Sequence, residues 1–315
     1  SFLTIPVNHL WHLIFGDKLF FMPVWWAYSI CLGLFFAAMP FSRYMHILTE
    51  VLWILLRNAG LKPSHPRKGV AEAEIYACSS CGLCLDACPM NVQKKNLKYS
   101  SVYFIRFLRR HNEKKINDIA EKCLMCDKCH ALCPVGVDAP ALRRAQRATV
   151  NNSLVYDYSY LAAQNPLGVI PDDKPEVMYF AGCMTHLTPR IIKSVEKVFK
   201  AASVNYVFAD RDGGICCGRP LMLAGKTSAA QETIAANKKM ILESGCRTLV
   251  LSCPICYKIF KEEYGLKGIE VLHYTQYFKR LADEGRLKLN AGGESIVYHD
   301  PCELGRGCGV YEEPR

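Results

Sequence analysis

Two runs of cysteine constrain this chain more than anything else in it. Cys78, Cys81, Cys84 and Cys88 precede Pro89, and Cys123, Cys126, Cys129 and Cys133 precede Pro134, so the spacing C-x2-C-x2-C-x3-C-P occurs twice. Three thiolates spaced by three residues wrap one corner of an iron–sulfur cube, while the fourth, set off by the longer gap and the proline, serves the other cube. The expected ligand sets are Cys78, Cys81, Cys84 with Cys133, and Cys123, Cys126, Cys129 with Cys88, holding two [4Fe–4S] clusters. Structural zinc would use one C-x2-C pair per half and leave two cysteines of each quartet unexplained.

The chain has seventeen cysteines in 315 residues, mostly in close groups, and no cleavable signal peptide is visible. Thiols in that pattern are metal ligands in a reducing compartment rather than staples of a secreted fold. The length predicts two or three domains. The formal charge is +10, but an oxidised four-thiolate cube brings about two negative charges. No nucleic-acid partner is expected. The basic run from Lys94 to Lys115, interleaved with Tyr99, Tyr103, Phe104 and Phe107, reads as a solvated helix face beside anionic clusters.

Val102, Ile105 and Leu108, then Ile116 and Ile119, recur at helical spacing between the quartets, so residues 76–150 are expected to form an α-helical dicluster ferredoxin domain. A linker at 58–75 precedes it and another at 151–175 follows. Leu83, Leu85, Met90, Leu124, Met125 and Leu132 are placed to keep water from the sulfurs. From Glu176 short apolar runs (VMYFAG, NYVFAD, TLVLS) alternate with helical stretches, which predicts an α/β domain with a parallel sheet over 176–292. Cys183, Cys216, Cys217, Cys253 and Cys256 each follow one of these strands, at the carboxyl-end crevice where such sheets bind ligands. Gly213, Gly214 and Gly218 suit close backbone approach there. Ile296 to Cys302 repeats the strand-then-cysteine entry, so 293–315 reads as the start of a second, incomplete copy. Cys31, Cys246 and Cys308 have no spacing partner and read as packed thiols.

At the other end, Lys18 to Arg43 holds no charge between its limits, and residues 1–57 are expected to be a membrane segment with one transmembrane helix. Arg43, Arg57, Lys62, Arg67 and Lys68 follow the apolar run against Lys18 before it, and Trp25 and Trp26 mark one edge. That asymmetry puts the clusters on the cytoplasmic side of the cell inner membrane. Pro40 to His46 resembles the closing segment of the last helix in nitrate-reductase gamma-subunit-like cytochromes b. The resemblance implies haem b ligation by His46; the place of the family's other ligand on that helix falls at Tyr28. His9 and His12 read as interfacial. Both ends have the look of truncations.

The quartet module looks like the cluster domains of succinate dehydrogenase iron–sulfur subunits and of heterodisulfide reductases. Cys183, Cys216-Cys217-Gly218 and Cys253-Pro254-Ile255-Cys256 resemble the CCG, or cysteine-rich, domain of heterodisulfide reductase catalytic subunits, of the iron–sulfur subunit of anaerobic glycerol-3-phosphate dehydrogenase, and of electron-transfer-flavoprotein:menaquinone oxidoreductases. The resemblance implies a non-cubane [4Fe–4S] cluster on the five cysteines, or zinc as in some relatives; five thiolates exceed what tetrahedral zinc needs. It implies a membrane-bound iron–sulfur oxidoreductase within a complex, relaying electrons between a quinone pool or cytochrome b part and a cytosolic redox protein or flavoprotein. Disulfide or heterodisulfide reduction with Cys216 and Cys217 as catalytic cysteines is one alternative. A non-catalytic anchor and relay subunit for a flavin dehydrogenase is another. There is no glycine-rich dinucleotide fingerprint and no nucleophile–base constellation, so flavin or hydride chemistry belongs to another protein. A disulfide-cleaving site needs an open crevice over Cys216 and Cys217, whereas a relay can leave its centre closed.

Overall fold

The computed structural model describes residues 4–15, 21–42, 44–61, 65–151, 175–290 and 292–315. The chain starts with α1 (Thr4–Phe15) and α2 (Phe21–Ala38); a 3-10 turn at Met39–Phe41 then leads to α3 (Met45–Asn58). Among the described residues no helix is long and apolar enough to cross a membrane, which overturns the expected transmembrane helix and, with it, the expected inner-membrane location. The physical reason lies at the end of α2. Its 18 residues rise about 27 Å, short of about 30 Å of hydrocarbon. The apolar run continues in sequence, but Pro40, which lacks a backbone N–H, sits in the 3-10 turn that ends the helix. Lys18, Arg43 and Lys62, half of the charge asymmetry, lie outside the described residues. Helix α3 is amphipathic, burying Thr49 and Trp53 and exposing Ile47, Leu48, Val51 and Leu55.

The quartet module is helical. It comprises α4 (Val70–Ala77), α5 (Leu83–Ala87), α6 (Pro89–Lys94), α7 (Ser101–Arg109), α8 (Glu113–Glu121), α9 (Lys128–Ala131) and α10 (Ala139–Asn151). Val102, Ile105 and Leu108 face inward from α7 and Ile116 and Ile119 from α8, the one-sided period of a core-facing helix. Asn112 stops the turn between them by accepting the Lys115 N–H at 3.2 Å, which satisfies one orphan donor of α8. Phe104, Leu142, Val135 and Trp53 complete this core, so α3 belongs to the module by packing. Residues 152–174, most of the second linker, lie outside the described residues.

The last module is an α/β fold: β1 (Val177–Phe180), α11 (Cys183–His186), α12 (Pro189–Ala201), β2 (Tyr206–Phe208), α13 (Arg219–Leu223), α14 (Thr227–Glu243), β3 (Thr248–Leu251), α15 (Pro254–Glu262), β4 (Glu270–His273), α16 (Tyr274–Asp283) and α17 (Gly305–Cys308). Its four strands pair in parallel in the order β2-β1-β3-β4. Met178 and Phe180 point into one core layer and Val177 and Tyr179 into the other. Both faces are therefore covered, as parallel sheets require. Strand β4 is an addition to the three read from sequence. By contrast, 294–300 has no regular structure. Val297 there is 100% exposed, and strand-forming residues with no neighbouring strand to bond do not make a strand.

Candidate iron–sulfur sites

The two quartet loops share one backbone. Ser80 (φ 62°) and Gly82 (φ 91°) flank Cys81, and Met125 (φ 52°) and Asp127 (φ 58°) flank Cys126. Left-handed residues in such turns cup backbone N–H groups into a concavity that favours anions. Consistent with that, the Met125 N–H donates to Cys123 Sγ and the Val137 N–H to Cys133 Sγ, each at 3.4 Å. One cavity is lined by Cys78, Cys81, Cys84 and Cys133 together with Ser101, Val102 and Ile105. A second is lined by Cys88, Cys123, Cys126 and Cys129 together with Met90 and Arg143, and Cys129 also touches the first. The second cavity thus gathers three thiols of one quartet and the last of the other, and the first gathers the mirror-image set with Cys129 besides, donor sets that suit thiolate-ligated cubes. Burial pushes the Cys78 and Cys84 thiols up and Cys129 up to about 11, so iron must displace protons to bind. The Arg109 guanidinium donates to the carbonyls of Ile75 and Cys78 and fixes where the first loop starts. Met90 and Met125 are buried as expected, whereas Leu83, Leu124 and Leu132 stay more than half exposed. Leu83 and Leu124 nevertheless line the cavities.

The five-cysteine crevice is built at the strand ends. Cys183 opens α11, Cys216 and Cys217 precede α13, Cys253 caps α15 and Cys256 lies in its first turn. Cys216, Cys217, Cys253 and Cys256 are buried, and Cys183 is half-buried. The neighbouring Cys256 thiol pulls Cys217 and Cys253 down, Cys253 to about 7, and is itself held well up by the same pairing. Burial pushes Cys216 up to about 11. The Gly218 N–H donates to Cys216 Sγ at 3.4 Å. Close approach is required at two glycines: a Cβ on Gly182 (φ +83°) would lie 2.8 Å from Cys256 Sγ, and one on Gly214 would lie 2.5 Å from Cys183 Cα. Gly213 has open space around it.

Sequence reading missed the supports of this crevice. The Asp210 carboxylate accepts the N–H groups of Ala181 and Gly182 at 2.9 and 2.8 Å and meets His186 Nε2 at 3.3 Å, which holds the turn before Cys183. Burial pushes its pKa up against those bonds. The Asn237 amide donates to the Cys216 carbonyl at 2.8 Å and the Tyr264 hydroxyl to the Cys217 carbonyl at 3.1 Å. Gly182 ends the run VMYFAG and Asp210 ends NYVFAD. A strand that stops on a glycine or a lone carboxylate beside cysteines was the available signal.

Among the described residues no group of three or more His, Cys, Asp or Glu side chains closes tightly enough to grip a single ion. His46 lies in the first turn of α3, half-buried, and Tyr28 is exposed on α2. Exposed His9 and His12 lie on α1. Cys246 is buried in one core layer of the sheet, Cys308 packs at the edge of that same layer, and Cys31 is exposed on α2.

Comparison with known proteins agrees with this division. Residues 77–137 match the 4Fe-4S dicluster domain and residues 177–261 the cysteine-rich CCG domain. The chain is 23% identical to an EtfAB:quinone oxidoreductase of Syntrophomonas wolfei, over 99% of this chain and 55% of that protein. It is 23% identical to one component of a fumarate reductase (CoM/CoB) of Methanothermobacter marburgensis, over 84% and 59%. With one component of a dihydromethanophenazine:CoB–CoM heterodisulfide reductase of Methanosarcina barkeri it shares 22%, over 77% and 72%. The chain spans little more than half the length of the first two. No solved structure matches it. The chain joins a 4Fe-4S dicluster domain to a CCG cysteine-rich domain, and is an iron–sulfur protein with an electron-transfer role, similar over most of its length to known oxidoreductases.

Proposed function

We propose that this protein relays single electrons through two [4Fe–4S] clusters, on Cys78, Cys81, Cys84 with Cys133 and on Cys123, Cys126, Cys129 with Cys88, to a third cluster on Cys183, Cys216, Cys217, Cys253 and Cys256. The relatives' names support a redox partner such as EtfAB on one side and a quinone on the other, with this chain working inside a complex. Each cluster, when bound, takes up and passes on one electron. The chain's own residues deprotonate to hold it, keep water away and fix its distance from the next. Nothing in this relay needs haem.

The observation that carries the reading is the closure of the crevice: Cys216 and Cys217 are 3% and 2% exposed. Thiol–disulfide chemistry needs sulfur access for its partner, whereas an electron does not. We therefore place electron transfer ahead of disulfide reduction. In the full chain, purified anaerobically and loaded with iron and sulfide, reduction should give two mutually interacting [4Fe–4S] spectra by electron paramagnetic resonance plus a third centre. Cys217→Ala should abolish the third and spare the pair. Survival of the third centre in that variant, or sustained turnover of a small disulfide by the unaltered protein, would overturn the proposal.

A further inference from the structure

The dicluster module touches the crevice domain through one end. Arg147, buried on α10, donates from Nη2 to the carbonyls of Cys123 and Glu121, each at 2.8 Å, from Nε to Ala120 at 2.9 Å, and from Nη1 to Leu223 of α13 at 2.6 Å. One guanidinium thus ties the first cysteine of the second quartet to the helix that leaves Cys216-Cys217-Gly218. Below it, Gly225 lies against the Arg147 backbone so closely that a Cβ would sit 2.5 Å from the carbonyl carbon. Asn151 Nδ2 donates to the Ala224 carbonyl at 2.8 Å, and Lys226 Nζ donates to the Asn151 carbonyl.

A second tie runs from the other helix of the crevice. Lys258, two residues beyond Cys256, pairs with Asp127 of the second quartet loop and, at 3.1 Å, with Glu303. Glu303 also meets Arg219, which begins α13. All four side chains are largely shielded from water. Arg306 Nε donates to the Cys126 carbonyl at 3.3 Å. Buried charges held this way are weak as a source of stability, because desolvation offsets their attraction, but breaking one partner is expensive, so they specify a geometry. These bonds reach Cys123, Cys126 and Asp127. The opposite end of the module, where Cys133 lines the first cavity, is bonded instead to α3: Arg57 Nη1 donates to the Val135 carbonyl at 3.2 Å.

Building on the proposed relay, we infer that Lys258 and Arg147 are positioning residues that hold the second quartet, not the first, against the two helices leaving the crevice cysteines, so that the second cluster exchanges electrons with the crevice centre. With the groups bound, the one held by Cys123, Cys126, Cys129 and Cys88 would give up one electron as the one held by the crevice cysteines took up one, and the one held by Cys78, Cys81, Cys84 and Cys133 would supply the replacement electron from a redox partner. No bond to carbon or sulfur is made or broken.

The test uses the full, cluster-loaded chain. Cys81→Ser and Cys126→Ser assign the first and second cluster signals. In the unaltered protein the second signal, and not the first, should be broadened by the crevice centre. Lys258→Met with Asp127→Asn removes both charges of one tie, leaving neither buried alone, and Arg147→Met removes the other. Both variants should keep their iron content and the first cluster's spectrum, lose that broadening, and show a larger radius of gyration in small-angle scattering. Lys258→Arg should retain the wild-type behaviour. Unchanged broadening and radius in both variants would overturn the inference, as would broadening of the first cluster's signal that Cys217→Ala removes. If either variant fails to fold, the other decides. If the unaltered protein shows no crevice centre, the relay itself fails, and scattering of the same variants still decides the docking.

Discussion

Glu74 has no surface in water, and only one of its carboxyl oxygens has a partner among the described residues, the Asp138 N–H. Burial pushes its pKa from 4.5 up to about 8. A carboxyl that holds its proton more tightly when folded loses stability as pH rises from the unfolded value through the folded one. Between pH 4.5 and 8 that decline is on the order of 5 kcal/mol. Glu74→Gln keeps the acceptor for Asp138 and cannot ionise, so its thermal midpoint should match the unaltered protein near pH 5 and exceed it at pH 9. Equal midpoints at both values would refute the assignment. The sequence held part of this: Ala71, Glu74, Ile75 and Cys78 fall on one helical face while Glu72 points outward. Phase alone does not distinguish a buried glutamate from an amphipathic one, because the covering residues come from distant segments. Asp210 was hidden for the same reason, since its partners Ala181 and Gly182 lie nearly thirty residues away.

Elements were legible where their cause is local. The quartet spacing could be read because ligand geometry dictates it, and α7 and α8 could be read because their apolar residues repeat with the helix period. Strand β4 escaped notice because it has only four residues, begins with exposed Glu270 and is specified by pairing with β3. Helix α2 shows the opposite error. The unbroken apolar composition suggested one long span, and a single proline just past Ala38 ends the described helix there instead. The turn from α13 to α14 offers a direct test of packing by an element. Gly225 combines φ +83° with backbone contact to Arg147, while Gly285 has φ +73° and open space around it. Alanine at Gly285 should cost about 1 kcal/mol from conformation alone. Alanine at Gly225 adds a steric clash and should lower the unfolding midpoint by clearly more. A larger loss at Gly285 would contradict the docking of α10 on this turn.

In the whole molecule the two modules differ in what keeps them folded. The sheet domain has a core on each face made of ordinary side chains. The dicluster module has one smaller core, and Cys78 and Cys133 pack at its edge. Metal binding energy is folding energy where a site is assembled by the metal. Stripping iron with a chelator under reducing conditions should therefore split calorimetric unfolding into two transitions, with the dicluster module melting first and the sheet domain, which loses only the crevice centre and keeps both cores, falling less. A single transition displaced as a whole would show the two modules to be one cooperative unit.

The matched turns around Cys81 and Cys126 differ in one atom group of consequence: Gly82 in the first, Asp127 in the second. On backbone shape alone either loop could be presented to the neighbouring domain. A carboxylate at one and a bare hydrogen at the other breaks that near-symmetry, because only Asp127 can be grasped by an ammonium group. A conductor with interchangeable ends thereby acquires a front and a back, and one side chain of the pair helps to mark which is which.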